Sequence, residues 1–159
     1  MDSMEIHPEL KHVPSLDEVR RRRAAILDTL RALRDPQARF QWLVDRARVG
    51  PVLPDSLRTD AHRVTGCQVR LWWVAEERDG RLWFASDSDA VTLKAITGLL
   101  AECYCGETAE GVRSDPPRFL EEFGLLRLLA ESRRATILRV SDSMNSSLHG
   151  PRRLPEAGG

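Results

Sequence analysis

Val69-Arg70-Leu71-Trp72-Trp73-Val74-Ala75-Glu76-Glu77-Arg78-Asp79-Gly80-Arg81-Leu82-Trp83-Phe84-Ala85-Ser86 reads as a β-hairpin. Up to Glu76 it alternates with period two. Val69, Leu71, Trp73 and Ala75 share one face; Arg70, Trp72, Val74 and Glu76 share the other. Valine, leucine and tryptophan suit a pleated, half-buried surface. Asp79-Gly80 is a two-residue turn signal, because the preferred hairpin turn needs positive φ at both central residues. Arg81 to Ser86 is then the returning strand. Pairing across the turn sets Ala75 opposite Phe84 and Glu76 opposite Trp83. The face with Leu71, Trp73, Leu82 and Phe84 is the expected core face. Trp72 and Trp83 fall on the other face, which is therefore expected to be partly covered too.

Just ahead of the hairpin lies Arg63-Val64-Thr65-Gly66-Cys67-Gln68. Ala61 to Thr65 is read as a short strand, which makes a sheet of three. Gly66 permits backbone angles that a Cβ penalises, so Cys67 is expected on a bend at the rim of the sheet. A cysteine held on a loop by a rigid scaffold is a candidate nucleophile. Free cysteine is also among the most buried residue types. Spacing alone leaves both readings open.

Helices flank the hairpin. Ser15 and Glu18 fit a capping box that opens a helix to about Leu33, with Val19, Ile26, Leu30 and Leu33 as its apolar stripe. Arg20 to Arg23 on that helix is read as a solvated face. Asp35-Pro36 starts a second helix, stopped by Gly50-Pro51, that buries Phe40, Trp42, Leu43, Val44 and Ala47. Asp87, Ser88 and Asp89 are read as capping groups for a helix from Ala90 to about Tyr104. Thr108 caps a short turn. A helix after Asp115-Pro116-Pro117 turns Phe119, Leu120 and Phe123 inward. The last helix begins at Glu131, carries Ile137, Leu138 and Val140, and reaches Met144. The fold class is thus α+β, a small three-stranded antiparallel sheet with helices packed mainly on one side. One domain over 15–145 is expected, with loose ends at 1–14 and 146–159.

Composition narrows the function. The 159 residues carry 24 basic and 24 acidic side chains, so a generally basic nucleic-acid surface is not expected. No apolar run approaches the roughly 18 residues of a membrane span. The start lacks a secretory signal pattern, and three cysteines is an odd number. Both features point to reduced thiols in a cytoplasmic setting.

The motifs, taken in order, resemble the SufE/CsdE family of cysteine-desulfurase partner proteins. The resemblance runs from about Phe40 to Val140. Its marks are Leu53-Pro54-Asp55-Ser56-Leu57-Arg58, then Arg63 to Gln68 with Trp72 four residues on, and Asp87-Ser88-Asp89-Ala90 before a helix with Lys94. Phe119 to Leu126 and Ser132-Arg133-Arg134 complete the set. There are departures. The family's usual Cys-Gln-Ser-Gln-Val-Trp is Cys67-Gln68-Val69-Arg70-Leu71-Trp72, and Arg70 is closer to the CsdE branch. A serine common after the long helix is Cys105 here.

The resemblance implies a SufE/IscU-like fold and sulfur transfer. A pyridoxal-phosphate cysteine desulfurase holds sulfur as a persulfide, and a SufE-like thiol accepts it and passes it to an iron–sulfur scaffold complex. Cys67 occupies the position of that thiol. Gly66 and Gln68 shape its loop, with Arg70 beside it; Asp89 and Arg133 lie in segments that hold the loop or meet the desulfurase. The protein itself needs no cofactor or metal on this reading. A carrier for another thiolation pathway, an iron–sulfur scaffold and a non-catalytic desulfurase-binding module are the alternatives.

Thiol exchange needs a thiolate, and a free thiol with a pKa near 8.5 supplies roughly a few per cent at pH 7. His62, Arg63 and Arg70 are cationic neighbours in sequence that raise this fraction if they approach; each also reads as an ordinary solvated group. Cys103 sits in a helical apolar pattern and reads as packing. Cys105 reads as the one competing thiol. A zinc site needs about four ligands, and no second pair stands at a suitable spacing.

Overall fold

A computed structural model describes residues 12–66 and 68–144. Helices α1 (Leu16–Ala32) and α2 (Pro36–Val49) precede strands β1 (Leu71–Arg78) and β2 (Arg81–Ser88). Helices α3 (Val91–Tyr104), α4 (Ala109–Ser114) and α5 (Phe119–Glu122), a 3-10 turn (Leu125–Leu128) and α6 (Glu131–Ser143) follow. The expected ends of the domain fall largely outside the described residues.

The caps act at the positions expected of them. Ser15 accepts from the Glu18 amide at 3.1 Å and Glu18 accepts from the Ser15 amide at 3.0 Å. Asp35 accepts from the Ala38 amide, with Pro36 in the first turn. Thr108 caps α4 through the Gly111 amide.

The hairpin pairs in the expected register, Ala75 with Phe84 and Glu76 with Trp83. Asp79 and Gly80 carry φ of 53° and 78°, as the turn requires. Both faces are closed: Leu71, Trp73, Leu82 and Phe84 are buried on one, Trp72, Val74 and Trp83 on the other. The connection between α2 and the hairpin supplies part of the second cover. The Leu53 amide donates to Asp87 at 3.0 Å, and the Arg58 guanidinium stands 4.5 Å above the Trp72 ring.

The third strand is not formed; among the described residues the sheet has two strands. Turns closed by bonds from Leu57 to Pro54, Arg58 to Asp55, His62 to Thr59 and Arg63 to Asp60 consume the chain up to Arg63. Gly66, at φ 84°, then bends it away. What forms in place of the strand is a bridge between Arg63 and Trp72, with amide bonds from Val64 to Leu71 and from Trp73 to His62. The free edge of β2 is covered instead by the turn after α3. The Leu82 amide donates to the Glu107 carbonyl at 2.6 Å, and the Gly106 amide to the Leu82 carbonyl at 2.7 Å.

Three further expectations are corrected. The arginine run of α1 is not a solvated face. Arg20 and Arg23 both pair with Glu107 at 3.1 Å, Arg23 also with Asp115, and Arg22 donates to the Glu102 and Cys105 carbonyls. Asp87 and Ser88 belong to β2, and no side chain caps Ala90 in the usual way, though Ser88 Oγ accepts from the Ala90 amide. Leu138 is exposed at 44%; Ile137 and Val140 carry the buried face of α6.

Candidate functional site

The bend before β1 is held at both ends by other elements. At its start, Arg139 of α6 donates to the Thr65 carbonyl. At its end, the Arg70 carbonyl accepts from Ser88 Oγ at 2.6 Å and from the Asp89 amide at 3.1 Å. These holders are fixed in turn. Ile137 and Val140 anchor α6 at zero exposure, and Ser88 ends a strand paired along its whole length. Two backbone carbonyls five residues apart are thus tied to rigid scaffold, with Gly66 and Gln68 exposed between them.

Cys67 itself lies outside the described residues. The other expected site residues divide into two groups. Gly66 and Gln68 are exposed on the bend, and Arg70 and Asp89 pair at its end. Arg70 Nε donates to Asp89 Oδ2 at 2.6 Å, and Arg58 approaches the same carboxylate at 3.9 Å. Arg70 also lies 5.2 Å from the Trp72 ring centre. Arg133 is on a different element and does not touch that pair in any described contact. It donates to Thr92 Oγ1 at 2.9 Å, in the first turn of α3, three residues after Asp89. Asp89 and Arg133 thus both lie at the start of α3.

The electrostatics follow from the count of charges. Two guanidinium groups share the one Asp89 carboxylate, so this trio leaves positive charge at the end of the bend. Positive charge near a thiol favours its thiolate. His62 is engaged elsewhere: its Nδ1 lies 3.1 Å from the Leu57 carbonyl and 3.3 Å from Thr59 Oγ1.

The two other thiols are buried. Cys103 is fully enclosed, and burial pushes its thiol up to about 12, beyond useful nucleophilicity at neutral pH. Cys105, 6% exposed, donates through Sγ to the Phe84 carbonyl at 3.1 Å and accepts from its amide at 3.2 Å. It replaces one ladder contact at the edge of β2 and also borders a cleft of about 430 Å³ lined by Leu43, Trp83, Ala95 and Leu99. None of Gly66, Gln68 and Arg70 borders that cleft. Among the described residues, no three His, Cys, Asp or Glu side chains gather as a metal cluster, and no helix is long and apolar enough to cross a membrane.

Sequence reasoning did not identify Ser88, Arg58 or Arg139 as holders of the bend. Arg58 stood inside a quoted motif, so its signal was present. Ser88 was read as a helix cap. Arg139 had no signal, because one arginine on a helix surface is ordinary.

The family model for the SufE Fe-S metabolism associated domain matches residues 24–148. The sulfur acceptor protein CsdE of Escherichia coli is 27% identical over 121 residues, covering 74% of this chain and 81% of CsdE. An uncharacterised SufE-like protein of Synechocystis is 27% identical over 110 residues, 69% of either chain. A chloroplastic quinolinate synthase of Arabidopsis thaliana is 32% identical over 78 residues, 48% of this chain but only 11% of that longer protein. Among solved structures, the solution structure of a hypothetical protein from Thermus thermophilus is similar, with a TM-score of 0.58 and 27% identity. That likeness covers 77% of this chain and 93% of the other.

Proposed function

The chain belongs to the SufE family, and from that premise we propose that it is a sulfur acceptor working with a cysteine desulfurase. Cys67 is the acceptor thiol. Its strongest support is the family match, which spans Cys67 together with the segments that hold its loop. The similarity to CsdE, a sulfur acceptor by name, points the same way.

The chemistry is one displacement. The Cys67 thiolate attacks the outer sulfur of the desulfurase persulfide. The sulfur–sulfur bond of the donor breaks, the donor cysteine leaves as its thiolate, and Cys67 gains a persulfide. No electron is gained or lost overall, so neither metal nor redox cofactor is needed on this chain. The donor's pyridoxal phosphate releases the sulfur from L-cysteine in the first place. Positive charge from Arg58 and Arg70 supports the thiolate, while the tied carbonyls of Thr65 and Arg70 keep the loop within a small region. The next acceptor is an iron–sulfur scaffold complex in a cytoplasmic compartment.

Incubation with a desulfurase and L-cysteine, followed by intact mass and peptide mapping, tests this. The mass of one added sulfur atom is expected on the peptide bearing Cys67. Cys67→Ser should gain none, while Cys103→Ser and Cys105→Ser should load normally. Sulfur mainly on Cys103 or Cys105 would overturn the assignment.

A further inference from the structure

We propose that the cleft beside β2 is a docking groove for this chain's own N-terminal segment, with residues 4–10 lying in it as an extended strap against the edge of β2. Helices α2 and α3 line the cleft with Leu43, Ala95, Gly98 and Leu99, and β2 lines it with Trp83 to Ser86. Val52, also on the lining, is 66% exposed. A Cβ built on Gly98 meets nothing within 4 Å, so a glycine keeps the cleft open where alanine would make a better helix. None of Thr65, Gly66, Gln68 and Arg70 borders the cleft, so the strap is separate from the Cys67 bend.

The outer edge of β2 meets this cleft. Backbone groups on a strand edge come from alternate residues. Leu82 is bonded there to Gly106 and Glu107, and Phe84 to the Cys105 thiol. Ser86 comes next; it borders the cleft, and no described residue pairs with its backbone on that side. A bare strand edge is a template for another extended chain, and native proteins cover it.

Position, pattern and charge identify the occupant. Pro14 lines the cleft, and the Arg81 guanidinium at the start of β2 donates to the Pro14 carbonyl. Ser86 lies five residues further along β2 than Arg81, roughly 17 Å. An extended chain covers that distance in about five or six residues, so the segment ahead of His12 reaches it. Met4, Ile6, Pro8 and Leu10 are apolar and alternate with Glu5, His7, Glu9 and Lys11. That period suits an extended chain with one face buried, and an edge strand tolerates the proline. Residues 1–11 carry three acidic side chains against one basic. The cleft presents Arg22, Arg46 and Lys94 against Glu102. Arg46 is paired with Glu102 and Lys94 with Asp87, while Arg22 donates to two carbonyls and keeps its charge uncompensated. Attachment through Val13 and Pro14 makes the contact intramolecular, which favours this segment over the same segment of a second copy.

Hydrogen exchange read by mass spectrometry on the full chain tests this, with synthetic peptides of residues 1–12, carrying the same substitutions, as unprotected references. In the parent, residues 4–10 should exchange about tenfold more slowly than in the peptide. Ile6→Asp combined with Leu10→Asp should bring the segment to its peptide's rate and speed exchange in the β2 fragment bearing Ser86. His7→Ser, on the polar side of the alternation, should match the parent. Gly98→Leu fills the cleft from α3 and should release the segment in the same way, while α3 keeps its own protection. Should Gly98→Leu not fold, the paired aspartate variant decides alone. A parent segment exchanging at the peptide's rate would overturn the proposal, as would protection that the two aspartates leave unchanged. Protection that grows with protein concentration, together with a dimer's mass by light scattering, would place a second copy's segment in the cleft and overturn it as well.

Discussion

Arg70 and Asp89 are joined twice: Arg70 Nε donates to the Asp89 carboxylate at 2.6 Å, and the Asp89 amide donates to the Arg70 carbonyl at 3.1 Å. The side-chain link and the backbone link do different work. The ion pair is half open to water, with side-chain exposures of 55% and 40%, and is worth about 0.5 kcal/mol. The backbone link depends on neither side chain, and only proline at position 89 would remove its donor. The geometry of the loop's end thus belongs to the backbone, and its charge belongs to the side chains.

Asp89→Asn separates the two. Its melting temperature should stay within about 2 °C of the parent. Removing the carboxylate leaves Arg58 and Arg70 without their shared counter-charge, so alkylation of Cys67 at pH 7 should become about twofold faster. A slower reaction would show that the carboxylate holds the loop and does not merely offset its charge.

Thiol accessibility gives a second expectation. Cys103 is enclosed and raised to about 12, and Cys105 is bonded on both sides to the Phe84 backbone. Of the three cysteines, one should react with a disulfide reagent within minutes at about pH 8, and all three in denaturant. Cys67→Ser should abolish the fast phase. Two fast thiols in the native parent would return Cys105 to candidacy.

The arginine run of α1 gives a third, concerning pH. Burial alone would push the Glu107 carboxyl up. Hydrogen bonds from Arg20, the Thr108 amide and Arg23 outweigh it, and the carboxyl lies below the usual range. A depressed carboxylate contributes stability that is present above the unfolded value of about 4.3 and is lost as pH falls through the folded one. Stability should therefore decline as pH drops below about 4.3. Glu107→Gln should remove that part of the decline and cost about 3 kcal/mol at pH 7, because Arg23 is left buried with only Asp115 to pair it. Calorimetry on both proteins from about pH 3 to neutrality measures it; parallel curves would contradict the assignment.

What could be read from the sequence follows from the range of each interaction. Hairpin register, the Ser15 and Asp35 caps and the turn at Asp79-Gly80 depend on neighbours within a few residues, and all were legible. The third strand failed because turn-forming bonds between Pro54 and Arg63 competed with sheet pairing, and strand propensity at Ala61 to Thr65 says nothing of that competition. Arg20, Arg22 and Arg23 were read as solvated because their partners, Glu107, Glu102 and Cys105, are far along the chain, with separations of 80 to 87 residues. The bend of Cys67 was singled out from Gly66 and the strand-prone run after it, which left a nucleophile and a packed thiol both open; the family motif then favoured the nucleophile and added Gly66, Gln68 and, further along, Asp89 and Arg133 as expectations. Arg139 escaped for the same reason as the arginine run: its partner is a distant backbone carbonyl, which leaves no mark on residue type.

Gly66 offers the most direct test of loop geometry. Its φ is 84°, a left-handed conformation that costs a residue with a Cβ about 1 kcal/mol or more. Gly66 is exposed, so that cost falls on the loop and not on packing. Asparagine tolerates the conformation better than alanine, and a β-branched residue tolerates it worst. Persulfide loading should therefore fall in the order Gly66, Gly66→Asn, Gly66→Ala, Gly66→Val. Alanine should be about fivefold slower than the parent, the factor that about 1 kcal/mol represents if loading requires the observed backbone. The melting temperatures of all four should agree within a few degrees, because the carbonyls of Thr65 and Arg70 remain tied to α6 and to the end of β2. Single-turnover loading with excess desulfurase persulfide reads the order directly. Equal rates for glycine, alanine and valine would mean that sulfur transfer proceeds from another conformation of the bend.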